Sequence, residues 1–430
     1  MQNSVLRIHS RCKLAATLLW RIKLQKHLAI FALLAGGLLT SSVLRAAEPA
    51  LNRPIQVYQP KKLPVGPIAA QRTPLGVPED YKPWIVKLNN GDLLIVAFHA
   101  GRNPVNEYAV FWRSQDGGQT WSEREPRKDV QGREFAATCL QDGSLVMTCH
   151  FLAQDANNKA GYTYSKLFRS GDNGKTWSEL RIGPEGFPPK ISTNTDRNCF
   201  EIPDPNNPQK MIAYIGISTS GIHDNKADYV SLWRSADGGQ TWDKTLQPDV
   251  QGWDDFDGFF GQSATYRSPL GKLLHVVRVD RRGKYWEIPK SQLNKEVGDQ
   301  GDRMMIWKST DEARSWKRLH RHGVFGVYGE MYPRFLKLQD DRLLLTFTVR
   351  SNSTDEHALG LRGLLSYDDG ETWDFDHDRL ILDDINQGAS GGGYGNTVQM
   401  KNGTLVSCYS YRGRDGQTHV EAVRWKLPPK

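Results

Sequence analysis

Short apolar runs alternate with polar turns along most of this chain, and the runs come in pairs. The clearest pair spans residues 84–96, where two apolar runs flank the turn Asn89-Asn90-Gly91-Asp92. Further pairs begin near residues 135, 199, 262, 334 and 397, and the third is stretched by a proline-rich turn. This pattern is typical of β-hairpins, and no stretch has a 3.6-residue period long enough for a helical domain.

A second phrase, Ser-x-Asp-x-Gly-x-Thr-Trp, follows five of the six pairs. Its copies begin at Ser114, Ser170, Ser235, Ser309 and Ser366, and the fourth copy is degraded. Asp, Gly and hydroxyl residues close tight turns, and the final Trp can bury a large apolar surface between sheets. A calcium loop would need more carboxylates at alternate positions, so we expect structural turns rather than ligand sites.

The two phrases together define a repeating unit of about four short strands. The sequence therefore predicts an all-β fold, a six-bladed β-propeller that carries this Asp-box repeat. After the last hairpin only one further strand remains, at residues 420–426, so the last blade lacks a strand. The segment near residues 55–58 is expected to supply it and to close the ring.

The basic charge of the chain comes from its first residues. Residues 1–46 contain seven Lys and Arg and no Asp or Glu, and so account for seven of the eight net positive charges. The remaining +1 gives no reason to expect nucleic-acid binding. A basic stretch, an apolar run at residues 27–39 and small residues up to Ala47 predict a secretory signal over residues 1–46. An uncleaved membrane anchor is the alternative. We expect a secreted or periplasmic protein whose propeller covers residues 47–430.

The cysteines and glycines indicate no cofactor. Beyond the leader the chain has Cys139, Cys149, Cys199 and Cys408, without a Cys-x-x-Cys spacing. We expect buried thiols, with one disulfide left open as an alternative in an exported protein. No metal cluster and no phosphate-binding loop is evident in the sequence.

Asp-box repeats in five of six blades resemble the sialidase superfamily, over almost the whole chain after the leader. The resemblance implies an exo-acting glycosidase that binds an acidic sugar at the mouth of the central channel. Three arginines would bind the substrate carboxylate, a Tyr assisted by a Glu would attack the anomeric carbon, and an Asp would act as acid and base.

Polar residues cluster where the inner strands start and the second strands end, which is where a propeller forms such a mouth. They are Lys82, Arg102, Glu107, Arg133, Glu134, His150, Arg197, Gln262, Arg278, Asp280, Glu330, Arg334, Arg350, Tyr394 and Arg412. Guanidinium groups among them suit a carboxylate ligand.

The family pattern maps onto some of these residues and departs from it at others. Tyr394 matches the nucleophile, Arg278 the second arginine, and Arg334 or Arg350 the third. Lys82 stands where the family has its first arginine, and Glu107 is the carboxyl candidate for the acid. Gln262 stands where the partner Glu is expected, so Glu330 or Glu201 would replace that carboxylate. The expected catalytic residues are thus Tyr394, Glu330 and Glu107, and the expected substrate-binding residues are Lys82, Arg102, Gln262, Arg278, Arg334, Arg350 and Arg412.

The sequence therefore favours an exported glycosidase that acts on sialic acid or another anionic glycan. Two alternatives stay open. One is a propeller that binds glycans without turnover, and the other is a lyase that uses Tyr394 and His150.

Overall fold

The computed structural model describes residues 50–64, 66–101, 107–151, 164–182, 191–221, 227–251, 259–279, 303–319, 330–349, 359–385 and 392–430. All regular structure within these residues is β-strand. The predicted leader, Arg102 and Arg350 lie outside the described residues. No helix in the part that is described is long and apolar enough to cross a membrane.

Twenty-seven strands follow one another along the chain. The first fourteen are β1 Gln56–Tyr58, β2 Ala70–Leu75, β3 Asp80–Lys87, β4 Leu93–His99, β5 Tyr108–Ser114, β6 Glu125–Gln131, β7 Arg133–Cys139, β8 Leu145–Phe151, β9 Tyr164–Ser170, β10 Ser178–Ile182, β11 Ile191–Thr195, β12 Phe200–Asp204, β13 Asn207–Gly221 and β14 Ala227–Ser235. The others are β15 Asp243–Leu246, β16 Asp249–Gln251, β17 Ser263–Arg267, β18 Leu273–Val279, β19 Arg303–Ser309, β20 Ser315–Arg318, β21 Glu330–Lys337, β22 Leu343–Val349, β23 Gly360–Ser366, β24 Arg379–Ile381, β25 Gly395–Gln399, β26 Leu405–Arg412 and β27 Thr418–Trp425.

These strands form six sheets, which confirms the prediction of a six-bladed propeller. From the first strand outward the blades are β3-β4-β5-β6, β7-β8-β9-β10, β11 and β12 with β13-β14-β15, β17-β18-β19-β20-β16, β21-β22-β23-β24-β1, and β25-β26-β27-β2. Neighbouring strands are antiparallel, except that β16 lies parallel to β20.

The prediction of the closing strand was wrong. Strand β1 pairs with β24 and so extends the fifth blade, whereas β2 pairs with β27 and completes the sixth. Ile55 bridges to Ile68 and is buried among side chains of the fifth and sixth blades, which explains its apolar character without a place in the last sheet. Strand β2 is polar and contains Pro74. Proline is tolerated in an edge strand. A strand with polar residues and a proline lacks the alternation of apolar residues from which strands are predicted.

Each Asp box forms the same hydrogen-bonded turn. In the first, Ser114 Oγ donates to Asp116 Oδ1 at 2.9 Å and accepts from the N–H of Gly118 at 2.8 Å. Thr120 Oγ1 donates to Asp116 Oδ2 at 2.6 Å, and the other four boxes repeat both side-chain contacts. Burial acts to raise the pKa of Asp116, but hydrogen bonds from Thr120 and Ser114 outweigh it and lower that pKa to about 2. The Asp116 carboxylate therefore stabilises the turn through these hydrogen bonds.

The glycine of the box contacts the blade before it. A Cβ placed on this glycine would meet a side chain on the second strand of the preceding blade. The pairs are Gly118 with Val406 at 3.1 Å, Gly174 with Leu94 at 3.2 Å, Gly239 with Val146 at 2.7 Å and Gly370 with Leu274 at 2.3 Å. All four glycines have positive φ, so backbone conformation and close approach both favour glycine. In the degraded fourth box Ala313 occupies this position with a φ of 68°, so an alanine there adopts the strained left-handed conformation.

The close approach can be separated from the backbone strain by two alanine substitutions. Gly370 and Gly403 have φ values of 84° and 80°, but nothing lies within 4 Å of a Cβ on Gly403. Both substitutions carry a left-handed alanine, at about 1–2 kcal/mol. Gly370→Ala adds overlap with buried Leu274 and should cost about 1–3 kcal/mol more. Urea denaturation of both variants measures the difference, and equal losses would contradict blade packing through the box glycine.

Candidate functional site at one mouth of the channel

The inner strands begin with an unusual backbone conformation. At this point φ is 48° at Lys82, 57° at Glu134, 42° at Gln262, 58° at Tyr332 and 79° at Gly393. In the first, second and fifth blades the pairing register also shifts here, as in a β-bulge. A bulge re-aims a side chain away from the regular pleat. Lys82, Glu134 and Tyr332 are thereby brought to one mouth of the channel.

Side-chain bonds between blades fix the inner strands against one another. Asn396 accepts from the N–H of Ile85 at 2.7 Å and donates to its carbonyl at 2.9 Å. Asn198 makes the same pair of bonds to Thr265, at 3.1 and 2.9 Å. These contacts join the sixth blade to the first and the third to the fourth. The mouth is therefore built on a rigid frame.

A buried ionic cluster lies at the centre of this mouth. The Glu134 carboxylate contacts Lys82 Nζ through one oxygen and the Arg197 guanidinium through the other. Arg197 also donates to the Glu134 carbonyl at 3.0 Å. The three side chains are only 10%, 12% and 1% exposed, in the order Lys82, Glu134, Arg197. Burial acts to raise the pKa of Glu134, but Lys82 and Arg197 outweigh it and hold that pKa well below its usual range.

Two tyrosines pack against these cations. Lys82 Nζ lies 4.1 Å from the ring centroid of Tyr394, and the Arg197 guanidinium lies 5.0 Å from that of Tyr332. The two rings meet edge to face, with centroids 5.2 Å apart. Burial raises the pKa of Tyr332 above its usual range, and its hydroxyl has no hydrogen-bond partner among the described residues.

A second carboxyl group, Glu107, lies beside the cluster. Arg133 contacts both of its oxygens, with Nε 2.8 Å from Oε2 and Nη2 3.0 Å from Oε1. Glu107 is 3% exposed, and burial raises its pKa to about 7. Arg133 opposes this rise, whereas the negative charge of Glu134 adds to it. One carboxyl group is thus poised to release a proton near neutral pH, while its neighbour stays ionised.

His150 is buried next to the same charges. Burial lowers its pKa to about 3, and the positive charge of Arg197 lowers it further. The imidazole is therefore neutral at physiological pH, and it is a weak base there. This property weakens the lyase alternative that relied on His150.

The structure brings some of the predicted residues together and leaves others apart. Tyr394, Glu107 and Lys82 meet at the mouth. The backbone N–H of half-buried Arg278 donates to the Gln262 carbonyl at 3.4 Å. Arg412 ends strand β26 on the sixth blade.

The other predicted residues are placed differently or not described. Arg334 packs against Trp84, with the guanidinium carbon 5.5 Å from the ring centroid. Glu201 accepts from the backbone N–H of Gln141, in the turn between the inner strands of the second blade, and has no contact with the tyrosines. Glu330 opens strand β21, but its side chain lies outside the described residues, as do Arg102 and Arg350.

Glu134, Arg197 and Tyr332 are the residues whose roles the sequence did not reveal. Glu134 and Arg197 belong to the polar set, but nothing in the sequence pairs two residues that are 63 positions apart. Tyr332 is followed by Pro333, in the same pattern as Lys82-Pro83 on the first blade. This shared pattern is the sequence feature that could have indicated a role for Tyr332 at the mouth. Among the described residues no group of His, Cys, Asp or Glu could hold a metal ion.

The ionic cluster makes a measurable contribution to stability. Arg197→Met leaves Glu134 buried with Lys82 alone and should lower the free energy of unfolding by about 3–5 kcal/mol. The double variant with Glu134→Gln should lose less than the two single losses combined, because the uncompensated charge is gone. Asp129→Asn is the control: it breaks an ion pair whose carboxylate is 61% exposed and should cost less than about 1 kcal/mol. Urea denaturation that gives equal losses for Arg197→Met and Asp129→Asn would contradict the cluster.

Comparisons with known proteins were made at the levels of sequence and structure. No protein-family model matches the chain, and no curated protein matches its sequence. Solved structures do match. A protein of unknown function from Dyadobacter fermentans superposes with a TM-score of 0.57 at 17% identity, over 88% of this chain and 99% of that one. A leech intramolecular trans-sialidase gives 0.54 at 11% identity, over 81% and 68%. An α-L-arabinofuranosidase from Fusarium graminearum gives 0.51 at 13% identity, over 87% and 98%.

These similarities show the fold. The six-bladed propeller of this chain superposes on the propellers of these trans-sialidase and arabinofuranosidase structures. At such low identity they do not carry over a substrate.

Proposed function

We propose that this protein is an exo-acting glycoside hydrolase whose active site is the mouth formed by Lys82, Glu134, Tyr332 and Tyr394. One observation carries the proposal: two adjacent buried carboxyl groups have pKa values shifted in opposite directions. Glycoside hydrolysis commonly uses one protonated and one ionised carboxyl group, and their environments assign the two roles. The shared fold with propeller glycosidases supports the same reaction class.

Glu107 is the proton donor in this proposal. With a pKa of about 7 it is largely protonated under mildly acidic conditions. It would donate that proton to the glycosidic oxygen as the bond to the anomeric carbon breaks. The ionised Glu134 would accept the proton of the nucleophile in the same step.

Tyr394 is the proposed nucleophile. Its oxygen would bond to the anomeric carbon and pass its proton to Glu134. The Tyr394 ring and the Glu134 carboxylate both contact Lys82. Water would then attack the same carbon and give a proton to Glu107. The bond to Tyr394 breaks in this step, and the tyrosine regains its proton from Glu134.

An acidic sugar is the proposed substrate class. Lys82, Arg133 and Arg197 surround two carboxyl groups, and protonation of Glu107 leaves a net positive charge at the mouth. A neutral sugar is the second candidate, because each of these cations already has a carboxylate partner. The arabinofuranosidase fold neighbours fit that candidate.

Two matched variants test the nucleophile. Tyr394→Phe should abolish turnover of a fluorogenic substrate while leaving sugar binding within a few-fold of the wild type, since only a hydroxyl is lost. Tyr332→Phe removes the neighbouring hydroxyl and is the comparison. Loss of activity in Tyr332→Phe alone would move the nucleophile to that residue.

The substrate panel contains aryl glycosides of N-acetylneuraminic acid, of uronic acids and of α-L-arabinofuranose. Turnover of the acidic members supports the first candidate and turnover of the arabinoside the second. Binding without turnover on every member would leave a propeller that only binds glycans.

The pH dependence tests Glu107 as the acid. Because its protonated form is required, kcat/KM should fall about tenfold per pH unit above pH 7. Glu107→Gln should remove most of the activity. Arg133 lowers the pKa of Glu107, so Arg133→Gln should move the alkaline limb to higher pH. If the alkaline limb of the pH profile does not move in this variant, the group that titrates is not Glu107.

We further propose that the protein is exported. The basic and apolar segment over residues 1–46 supports this, and the N-terminal sequence of the protein recovered outside the cytoplasm checks it.

A further inference from the structure

A second cavity lies farther along the inner strands, in the direction away from Lys82. It has a volume of about 270 Å³. Its walls are the later residues of β3, β7, β21 and β25, from the first, second, fifth and sixth blades. None of Lys82, Glu134, Tyr332 and Tyr394 lines it, so it is separate from the proposed active site.

The Arg334 guanidinium lines this cavity without a protein acceptor. It packs against the ring of Trp84, but among the described residues no group accepts a hydrogen bond from it or forms an ion pair with it. Asp196 is an acidic group whose charge acts on Arg334, but its oxygens accept hydrogen bonds from Ser263 and Thr265. Burial lowers the pKa of Arg334 to about 10, so the group stays charged at neutral pH. A guanidinium carries five N–H donors, and here none of them donates to a described protein group.

The other ionisable side chains of the wall add positive charge. Lys87 donates to the carbonyl of Gln399 at 2.9 Å and has no carboxylate partner in the part of the chain that is described. Lys337 also lines the cavity and pairs with Asp369 at 3.4 Å. No Asp or Glu is present among the described residues of the wall. Arg334 and Lys87 therefore line the cavity without an ion-pair partner among the described residues, whereas Lys337 has one.

This contrasts with the mouth, where Lys82 and Arg197 share Glu134 and Arg133 contacts Glu107. Arg334 is part-buried, so it has lost some of its water without gaining a hydrogen-bonded counter-charge, and this costs free energy. Water in the cavity could accept the hydrogen bonds but would leave the charge. A small anion would supply both the acceptor oxygens or lone pairs and the charge.

We propose that this cavity is a binding site for a small inorganic anion, held by the Arg334 guanidinium, with Lys87 as a second positive group. Chloride and phosphate are the two probes. The proposal is independent of the proposed glycosidase function, because it uses none of the residues assigned to the reaction.

The test is a titration of the purified protein with sodium chloride or sodium phosphate at constant ionic strength. A salt of a bulky organic anion, too large for the cavity, maintains the ionic strength. Thermal unfolding should show a saturable rise in the melting temperature, from which a Kd follows. Saturation by chloride alone indicates a halide site, and saturation by phosphate indicates an oxyanion site. If neither anion gives a saturable shift, the proposal is wrong.

Three variants locate the effect. Arg334→Gln should raise the Kd by about 10- to 100-fold, the loss expected for charge-assisted hydrogen bonds. Arg334→Lys keeps the charge and should bind with intermediate affinity, and it carries the test if Arg334→Gln does not fold. Lys401→Gln removes a charge close to Lys87 but outside the cavity wall, and should leave the Kd unchanged. Equal weakening in Lys401→Gln and Arg334→Gln would show a general salt effect and overturn the site.

Discussion

The close approach of each Asp-box glycine to the preceding blade is the constraint on which the propeller depends. The box serine and aspartate fold the turn, and the turn places the glycine against the second strand of the neighbour. A Cβ on any of the four box glycines would crowd a side chain of the neighbouring blade, whereas the fourth box accommodates Ala313. Because the contact recurs around the ring, it sets the spacing of the inner strands and so the width of the channel. The positions of the mouth residues therefore depend on the contacts that the box glycines make toward the outer side of the blades.

The left-handed residues that open the inner strands form the second constraint. Non-glycine residues at positive φ carry strain, and strain of this kind persists where the surrounding structure imposes it. Here it places Lys82, Glu134 and Tyr332 together, and ionic and aromatic contacts offset its cost. The contacts of the mouth already orient its cations. Tyr394 and Glu107 are buried, so a ligand that contacts both groups has to displace neighbouring side chains.

The sequence predicted the repeat and the number of blades, because both depend on local patterns. Turn residues and alternating apolar positions identify a hairpin wherever it lies. The closing strand β2 escaped this reasoning because an edge strand with Pro74 has no apolar alternation. The pairing of Glu134 with Lys82 and Arg197 escaped it because the partners come from three different blades and meet only through bulges. Distances of 52 and 63 positions in sequence leave no local trace.

The arginine-rich character of the chain has two different physical meanings within one channel. At the mouth, carboxylates offset most of the positive charge of the cations. The electrostatic field that remains there changes when Glu107 gains or loses its proton. Farther along, Arg334 has an aromatic ring but no carboxylate, and its field is not offset by the wall. A count of arginines along the sequence treats these residues alike. The two kinds of arginine differ in the side chains that they contact, and other blades contribute those side chains. For this reason the fold could be derived from the repeat, whereas the chemistry of the channel required its geometry.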